Sequence, residues 1–275
     1  MMMAAIMPKK PTEDPRKFGL DESRYQGFTD YAKMKVADDP VDVPDIEFCG
    51  VCTGISWAFQ DGKFPHHWKS LRDNGTKRFP YHVLYPDQPV LGQIENMLRV
   101  LGNDLGEGPP VIDVELDRGQ TKSKITQAAE QSVMITKQET GRQPMIYTRP
   151  LWVRDFMLVG VEWYKSVIWW MAGYLDSGQE MSDAGLVGLM VATKTGIPVE
   201  NVWFHQTSDD GNGPYFGAES AGLDYDRFRG TSEQWASLWS IAPPPPPPPP
   251  PGPGIPVPVQ VTVPAGKASV TVVEV

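Results

Sequence analysis

The chain has 275 residues, 40% of them hydrophobic and 10% aromatic, enough to enclose one large core or two small ones. Its formal charge of −9, from 34 acidic against 25 basic residues, excludes nucleic acid as the main partner, because phosphate binding needs a basic face. No stretch approaches the ~18 consecutive apolar residues of a membrane span, so none is expected. The apolar start, Met1 to Pro8, is too short for a secretory signal and has its lysines, Lys9 and Lys10, on the wrong side.

Residues 1–15 read as a flexible arm. Strands are predicted at 17–21, 46–52, 78–83, 110–115, 143–147, 166–173, 201–206 and 221–225, and helices at 64–74, 89–102, 121–141 and 150–158. The 121–141 helix is the clearest: Thr121 caps it, Ile125, Ala128, Ala129, Ser132, Val133 and Thr136 recur at helical spacing, and Gly141 ends it. Strand–helix alternation over about 240 residues implies an α/β fold with a parallel sheet closed into a TIM-like barrel. After the fifth strand helices become sparse, except that Ser182 can cap an apolar helix over 182–195, ending at Gly196. Cys49 and Cys52 lie in a strand pattern, which sends residues three apart to opposite faces, and they read as reduced structural thiols. His66 and His67 add no recognisable zinc spacing to them. Asn74-Gly75-Thr76 has the form of a glycosylation sequon, discounted here without a signal peptide.

The most informative stretch is Pro110-Val111-Ile112-Asp113-Val114-Glu115, an apolar run ending in two carboxylates two residues apart. In a strand such residues share a face, about 6.6–6.8 Å apart along the backbone. Cleaving a glycosidic bond needs two carboxyl groups, one to protonate the leaving oxygen and one to manage positive charge at the sugar carbon. An isolated Asp-x-Glu is more often a solvated strand end. Here Asp21 follows the first predicted strand and Asp224 lies in the last, so that four carboxylates from three distant segments would meet on the barrel rim where active sites are built. A general acid in that company would have its pKa raised, and Asp113, one step deeper, is expected to be the group that stays ionised. Tyr25, Tyr81, Tyr147, Trp170, Tyr174 and Trp203 mark the same strand ends, where aromatic faces can stack on sugar rings. His82 reads as a hydrogen-bonded core residue and His205, beside Gln206, as part of the groove lining.

The segments Gly19-Leu20-Asp21-Glu22-Ser23-Arg24-Tyr25-Gln26-Gly27, Tyr81-His82, Pro110 to Glu115, Pro144-Met145-Ile146-Tyr147-Thr148, Trp169-Trp170-Met171-Ala172-Gly173-Tyr174, Trp203-Phe204-His205-Gln206-Thr207-Ser208 and Leu223-Asp224-Tyr225-Asp226-Arg227-Phe228 stand in an order that resembles glycoside hydrolase family 25, the Chalaropsis-type lysozymes or N-acetylmuramidases. The resemblance covers residues 16–240. It implies a (β/α)5(β)3 barrel that cleaves the β-1,4 bond between N-acetylmuramic acid and N-acetylglucosamine in bacterial peptidoglycan, with retention. Glu115 matches the general acid and Asp113 the assisting carboxylate; Asp21 and Asp224 match two further rim aspartates. Tyr25, Tyr81, Tyr147, Trp170, Tyr174 and Gln206 are the expected substrate contacts, and neither metal nor organic cofactor is expected. The chain departs from the family pattern after the second strand, where Val51-Cys52-Thr53-Gly54-Ile55 stands in place of Lys-Ala-Thr-Glu-Gly, and at Tyr81-His82-Val83 in place of Tyr-His-Phe. The stretch 175–200 is long and is expected to cover part of the groove. The alternative is a non-catalytic wall-binding or structural module of a phage-like particle on the same barrel.

A polyproline linker follows at 241–254, with nine consecutive prolines from Pro243 to Pro251, a stiff rod of about 28 Å. Residues 255–275 then alternate valines about a turn at Pro264-Ala265-Gly266-Lys267 and read as a β-hairpin that docks onto a protein assembly such as a virion or injection machine. With no signal peptide, the expectation is a phage-encoded or injection-machine-encoded protein, made in the cytoplasm and acting on the cell wall after release or as part of a virion-like particle.

Overall fold

The computed structural model describes residues 11–35, 45–175 and 179–240; the polyproline linker, the 255–275 hairpin and the first ten residues of the expected arm lie outside the described residues. Nine strands form one sheet: β1 (Phe18–Glu22), β2 (Ile46–Ile55), β3 (Phe59–Gln60), β4 (Lys77–Val83), β5 (Val111–Asp113), β6 (Met145–Thr148), β7 (Ile168–Ala172), β8 (Val202–Asn212) and β9 (Gly222–Phe228). Pairing of β1 with both β2 and β9 closes eight of them into a barrel, and the two-residue β3 folds back onto the end of β2. Helices α1 (Tyr31–Lys35), α2 (Phe64–Asn74), α3 (Val90–Leu101), α4 (Lys122–Thr140) and α5 (Pro150–Phe156) follow β1, the β2–β3 pair, β4, β5 and β6 in turn. Three strands then complete the barrel, with α6 (Asp183–Thr193) between β7 and β8. This is the (β/α)5(β)3 order expected from the sequence, with the helix at 182–195 also in place.

The local signals worked as chemistry predicts. The Thr121 hydroxyl accepts from the Lys124 amide and Gly141 ends α4 in the left-handed conformation; the Ser182 hydroxyl caps α6 by accepting from Gly185. Lys194, not Gly196, takes the left-handed position after α6. The expectation of an all-parallel sheet fails at β9, which runs antiparallel to both β8 and β1. The nine residues between β8 and β9 include a 3-10 turn at Pro214–Phe216 and are too few for the crossover of a dozen or more that a parallel return requires.

Strand alternation sorts the side chains into two cores. One face of each strand packs outward against the helices, through Leu20, Cys49, Val51, Ile112, Ile146, Trp169 and Met171. The other face fills the barrel in layers, with Phe48, Phe79, Phe204 and Phe228 near the strand starts of the parallel set. Their rings meet edge-on, with Phe48–Phe204 centroids 5.1 Å and Phe204–Phe228 centroids 5.3 Å apart. Helix α7 (Ser232–Trp239) seals this end. Trp235 sits 4.9 Å from Phe228 and 5.9 Å from Phe48, with the Lys17 ammonium on its other side, 4.9 Å from the ring. The floor of the barrel is therefore an aromatic plug, and the last described residue, Ser240, follows the helix that makes it.

Thr12 and Asp14, in the segment read as a flexible arm, are held against the barrel. Arg227, fully buried, donates to the Thr12 carbonyl (3.0 Å) and pairs with Glu180 (3.0 Å), and the Thr12 hydroxyl donates to the same Glu180 carboxylate (2.6 Å).

Gly19 makes room for the floor: a Cβ at this position would lie 2.3 Å from the Phe48 ring, which Phe79, Phe204 and Trp235 already hold in place. Gly19→Ala should therefore destabilise the protein by about 1–3 kcal/mol, the usual cost of overpacking, read as a lower midpoint in urea unfolding.

Candidate active site

The opposite mouth of the barrel holds a cavity of about 370 Å³, and Asp21, Asp113, Glu115 and Asp224 all line it. Each arrives by a different route. Asp21 lies near the end of β1, and its cross-strand partner is Asp224. Asp224 was expected at the end of a parallel strand; it lies near the start of β9 and reaches the same rim because β9 runs the other way. Asp113 is the last residue of β5. Glu115, expected inside that strand, lies two residues beyond its end, with its side chain about one-third exposed. Beneath them is a carboxyl group that the sequence reading left without a role: Asp226, fully buried, two residues from Asp224 and so on the same face of β9. The rule that paired Asp113 with Glu115 finds it.

The deeper groups are fixed by donors. Tyr147 donates to Gln206 Oε1 (2.8 Å), Gln206 Nε2 donates to Asp21 Oδ2 (2.7 Å), and Trp170 Nε1 donates to Asp226 Oδ1 (2.7 Å). Asp113 Oδ1 is buried with no hydrogen-bond partner among the described residues, as is the second Asp226 oxygen, Oδ2. Arg149, the residue after β6, places Nη2 3.7 Å from Glu115 Oε2.

Electrostatics follow from this crowding. Burial raises Asp21 to about 6, against the hydrogen bond from Gln206 that favours its charged form. Burial, then the charges of neighbouring carboxylates, holds Asp113, Asp224 and Asp226 well above the usual carboxylate range. Glu115 is also raised by burial, but the Arg149 guanidinium pulls it back. Burial therefore opposes ionisation of Asp113, the group expected to stay ionised, and raises Glu115 with it. Depth makes Asp113 the harder of the two to ionise, and Glu115, nearer solvent, has the cation.

The expected substrate contacts divide three ways. Tyr81, Tyr147 and Trp170 form the inner wall, with Tyr147 and Trp170 centroids 4.7 Å apart, and Gln206 is locked between Tyr147 and Asp21. Tyr25 stands on the lip, 70% exposed; the Arg24 guanidinium lies 4.7 Å from its ring and 4.4 Å from that of Phe59. Tyr174 does not reach this cavity. It lines a second cleft of about 340 Å³ with Arg149, Trp152 and Leu189 of α6, and that cleft is where the long 175–200 stretch contributes. Trp203 begins β8, at the floor end of the barrel, and donates to the Glu200 carbonyl (3.1 Å).

The histidines are structural. His82 is buried between the Ser56 carbonyl (2.7 Å from Nε2) and the Thr53 hydroxyl (2.8 Å from Nδ1), and burial lowers it to about 4. His205 does not line the groove as expected: it points out of the barrel to the Gly173 carbonyl (2.8 Å) and is likewise lowered to about 4. Both cysteines are free, on opposite faces of β2, and burial pushes both thiols up. Cys49 joins the outer core, whereas Cys52 lines the cavity. Beside Cys52 the cavity wall is Ile55 and Phe59, brought over by the β2–β3 turn; Cys52 and Ile55 belong to the segment that departs from the family pattern, and Phe59 was not singled out in the sequence.

A barrel whose open rim gathers acids from both ends of the chain defines a class of glycosidic-bond hydrolases. The family model described as glycosyl hydrolases family 25 matches residues 20–212, and the chain belongs to that family of glycoside hydrolases. No curated protein sequence matches it. Among solved structures it is similar to a family 25 glycosyl hydrolase from Bacillus anthracis (16% identity, TM-score 0.66, covering 86% of this chain and all of that one). It is also similar to a bacterial lysozyme from Streptomyces coelicolor (18%, 0.61, 82% and 98%). The catalytic domain of an endolysin from a bacteriophage of Listeria monocytogenes is a third similar structure (14%, 0.61, 84% and 100%).

The raised pKa of Asp21 carries a stability cost with a defined pH window. Folded Asp21 takes up its proton near pH 6 and an ordinary aspartate at 3.8, so stability is gained as pH falls through that interval and the penalty is complete above it. Asp21→Asn should unfold at a higher temperature than the parent at pH 7.5, with the difference gone below about pH 4.

Proposed function

We propose that the chain is a peptidoglycan muramidase, cleaving the β-1,4 bond between N-acetylmuramic acid and N-acetylglucosamine with retention. The observation that carries the reading is the convergence of Asp113 and Glu115, from one strand end, with Asp21 and Asp224 on a single cavity. Glu115 is the general acid: it is the carboxyl nearest solvent, where a leaving glycosidic oxygen can approach, and burial raises its pKa toward the range in which it holds a proton. Its proton passes to that oxygen as the bond to the sugar carbon breaks. Asp113 faces the opposite demand. Its carboxyl lines the cavity, where the N–H of the substrate's acetamido group can donate to it, and such a donor favours the charged form. Substrate also displaces water from around Glu115, which favours the neutral form there. Binding therefore shifts the pair's proton from Asp113 toward Glu115, so that acid and charge stabiliser take their roles only when substrate is present. Asp21, whose charged form the Gln206 hydrogen bond favours, supplies the negative field that a positively charged sugar carbon needs, with Asp224 directly across from it.

The tail is the delivery element in this reading: the proline run and the valine-rich sequence after it attach the barrel to a larger assembly. Truncation after Ala242 should leave cleavage of soluble wall fragments unchanged while abolishing assembly, because α7 closes the floor of the barrel, opposite the cavity. A truncated protein that assembles normally would remove the docking role.

Glu115→Gln keeps the shape and loses the proton. It should lower hydrolysis of purified walls by 10²–10⁴-fold with the fold intact by circular dichroism, and a variant within threefold of the parent would rule Glu115 out. Asp113→Asn should be comparably severe. Mass spectrometry of the products should find N-acetylmuramic acid at the reducing end; N-acetylglucosamine there would mean the other bond is cut.

A further inference from the structure

Arg149 occupies a position that neither the strand pattern nor the rim acids explain. It follows β6 and precedes Pro150, which holds it in extended backbone at the head of α5 (φ −119°, ψ 144°). Its side chain stands between the two clefts, lining the one that contains Tyr174 while its Nη2 reaches to 3.7 Å from Glu115 in the other.

Glu115 needs such a neighbour for two reasons. It lies beyond the last residue of β5, so no ladder register fixes the direction of its side chain. The groups that face it are otherwise acidic or neutral: Asp21 from β1, Asp113 from β5, Asp224 from β9, Tyr147 from β6 and Tyr174 after β7. Among the described residues, Arg149 is the cation paired with it. When Glu115 gives its proton to a leaving oxygen, it becomes a carboxylate beside three other carboxyl groups. A fixed cation already aimed at it lowers the energy of that charge without reorganisation.

We propose that Arg149 is a positioning residue for the proton-transfer step, holding the Glu115 carboxyl at the cavity wall and stabilising the carboxylate left when the proton departs. The inference rests on Glu115 being the acid. The contact is single and partly exposed, and that suits the role. A short bidentate pair would trap the carboxylate, whereas a 3.7 Å contact leaves reprotonation from water easy in the second half of a retaining reaction. Burial of Glu115 works in one direction and Arg149 in the other, and the balance keeps the donor near the operating pH, where general acids are most effective.

The test compares Arg149→Gln and Arg149→Lys with the parent by two readouts. The first is a 13C NMR titration of the Glu115 carboxyl carbon, assigned with Glu115→Gln, which needs no substrate. The second is the pH profile of kcat/KM on solubilised peptidoglycan strands. Arg149→Gln should raise the Glu115 midpoint by roughly half a pH unit, the size expected of a partly exposed ion pair, and the alkaline limb of the profile should move up with it. Arg149→Lys should keep both near the parent values. A midpoint unmoved in Arg149→Gln, or activity lost evenly at every pH with the limb in place, would overturn the assignment. A parent protein that cleaves no glycan would instead defeat the muramidase reading, and the titration would still decide whether Arg149 acts on Glu115.

Discussion

Asp21, Asp113, Asp224 and Asp226 are gathered where burial and mutual repulsion both oppose ionisation, so this end of the barrel retains protons at pH values where isolated aspartates have none. Everything else about the rim answers that constraint. Donors reach Asp21 through Gln206 and Asp226 through Trp170. Asp113 Oδ1 and the second Asp226 oxygen, Oδ2, have none among the described residues. A cluster of this kind weakens the fold, and the compensation lies at the other end of the barrel. There Phe48, Phe79, Phe204 and Phe228 and the α7 tryptophans remove a large apolar area from water, with the Trp239 indole N–H the polar group buried among them. The molecule separates a costly polar mouth from a cheap aromatic floor along one axis.

Closure of the barrel by an antiparallel strand is what completes the mouth. A parallel β9 would present Asp224 and Asp226 near its own start, at the floor, among the phenylalanines. Reversing it turns that start toward the rim and sets Asp224 directly opposite Asp21. The short β8–β9 return is thus as necessary to the site as any of the acids.

Much of this is legible in the chain. Eight strands and five helices announce themselves through alternation, capping residues and terminal glycines, because those signals are local and the barrel satisfies them. Four acids and the inner aromatics follow from asking which strand ends share a rim. Other features depend on contacts made at long range. Two-residue β3 and five-residue α1 are too short to carry a period. The direction of β9 is set by loop length and not by its own residues. His205 was misplaced by one step of alternation: Gln206 faces the cavity, so its neighbour must face out. Tyr174 and Arg149 lie beyond strand ends, where sequence position no longer fixes direction.

The altered segment Val51 to Ile55 shows how the rim can change without moving its acids. Where the family pattern has Lys-Ala-Thr-Glu-Gly, this chain runs β2 on to Ile55 and turns back through β3. Gly54 is obligatory in that turn, since a Cβ there would lie 2.1 Å from the Phe59 carbonyl and its φ is +153°. The result replaces a charged lip by Cys52, Ile55 and Phe59, while Asp21, Asp113, Glu115 and Asp224 keep their places on the cavity. The altered segment thus gives the cavity an apolar wall, beside the Arg24 guanidinium set between Tyr25 and Phe59.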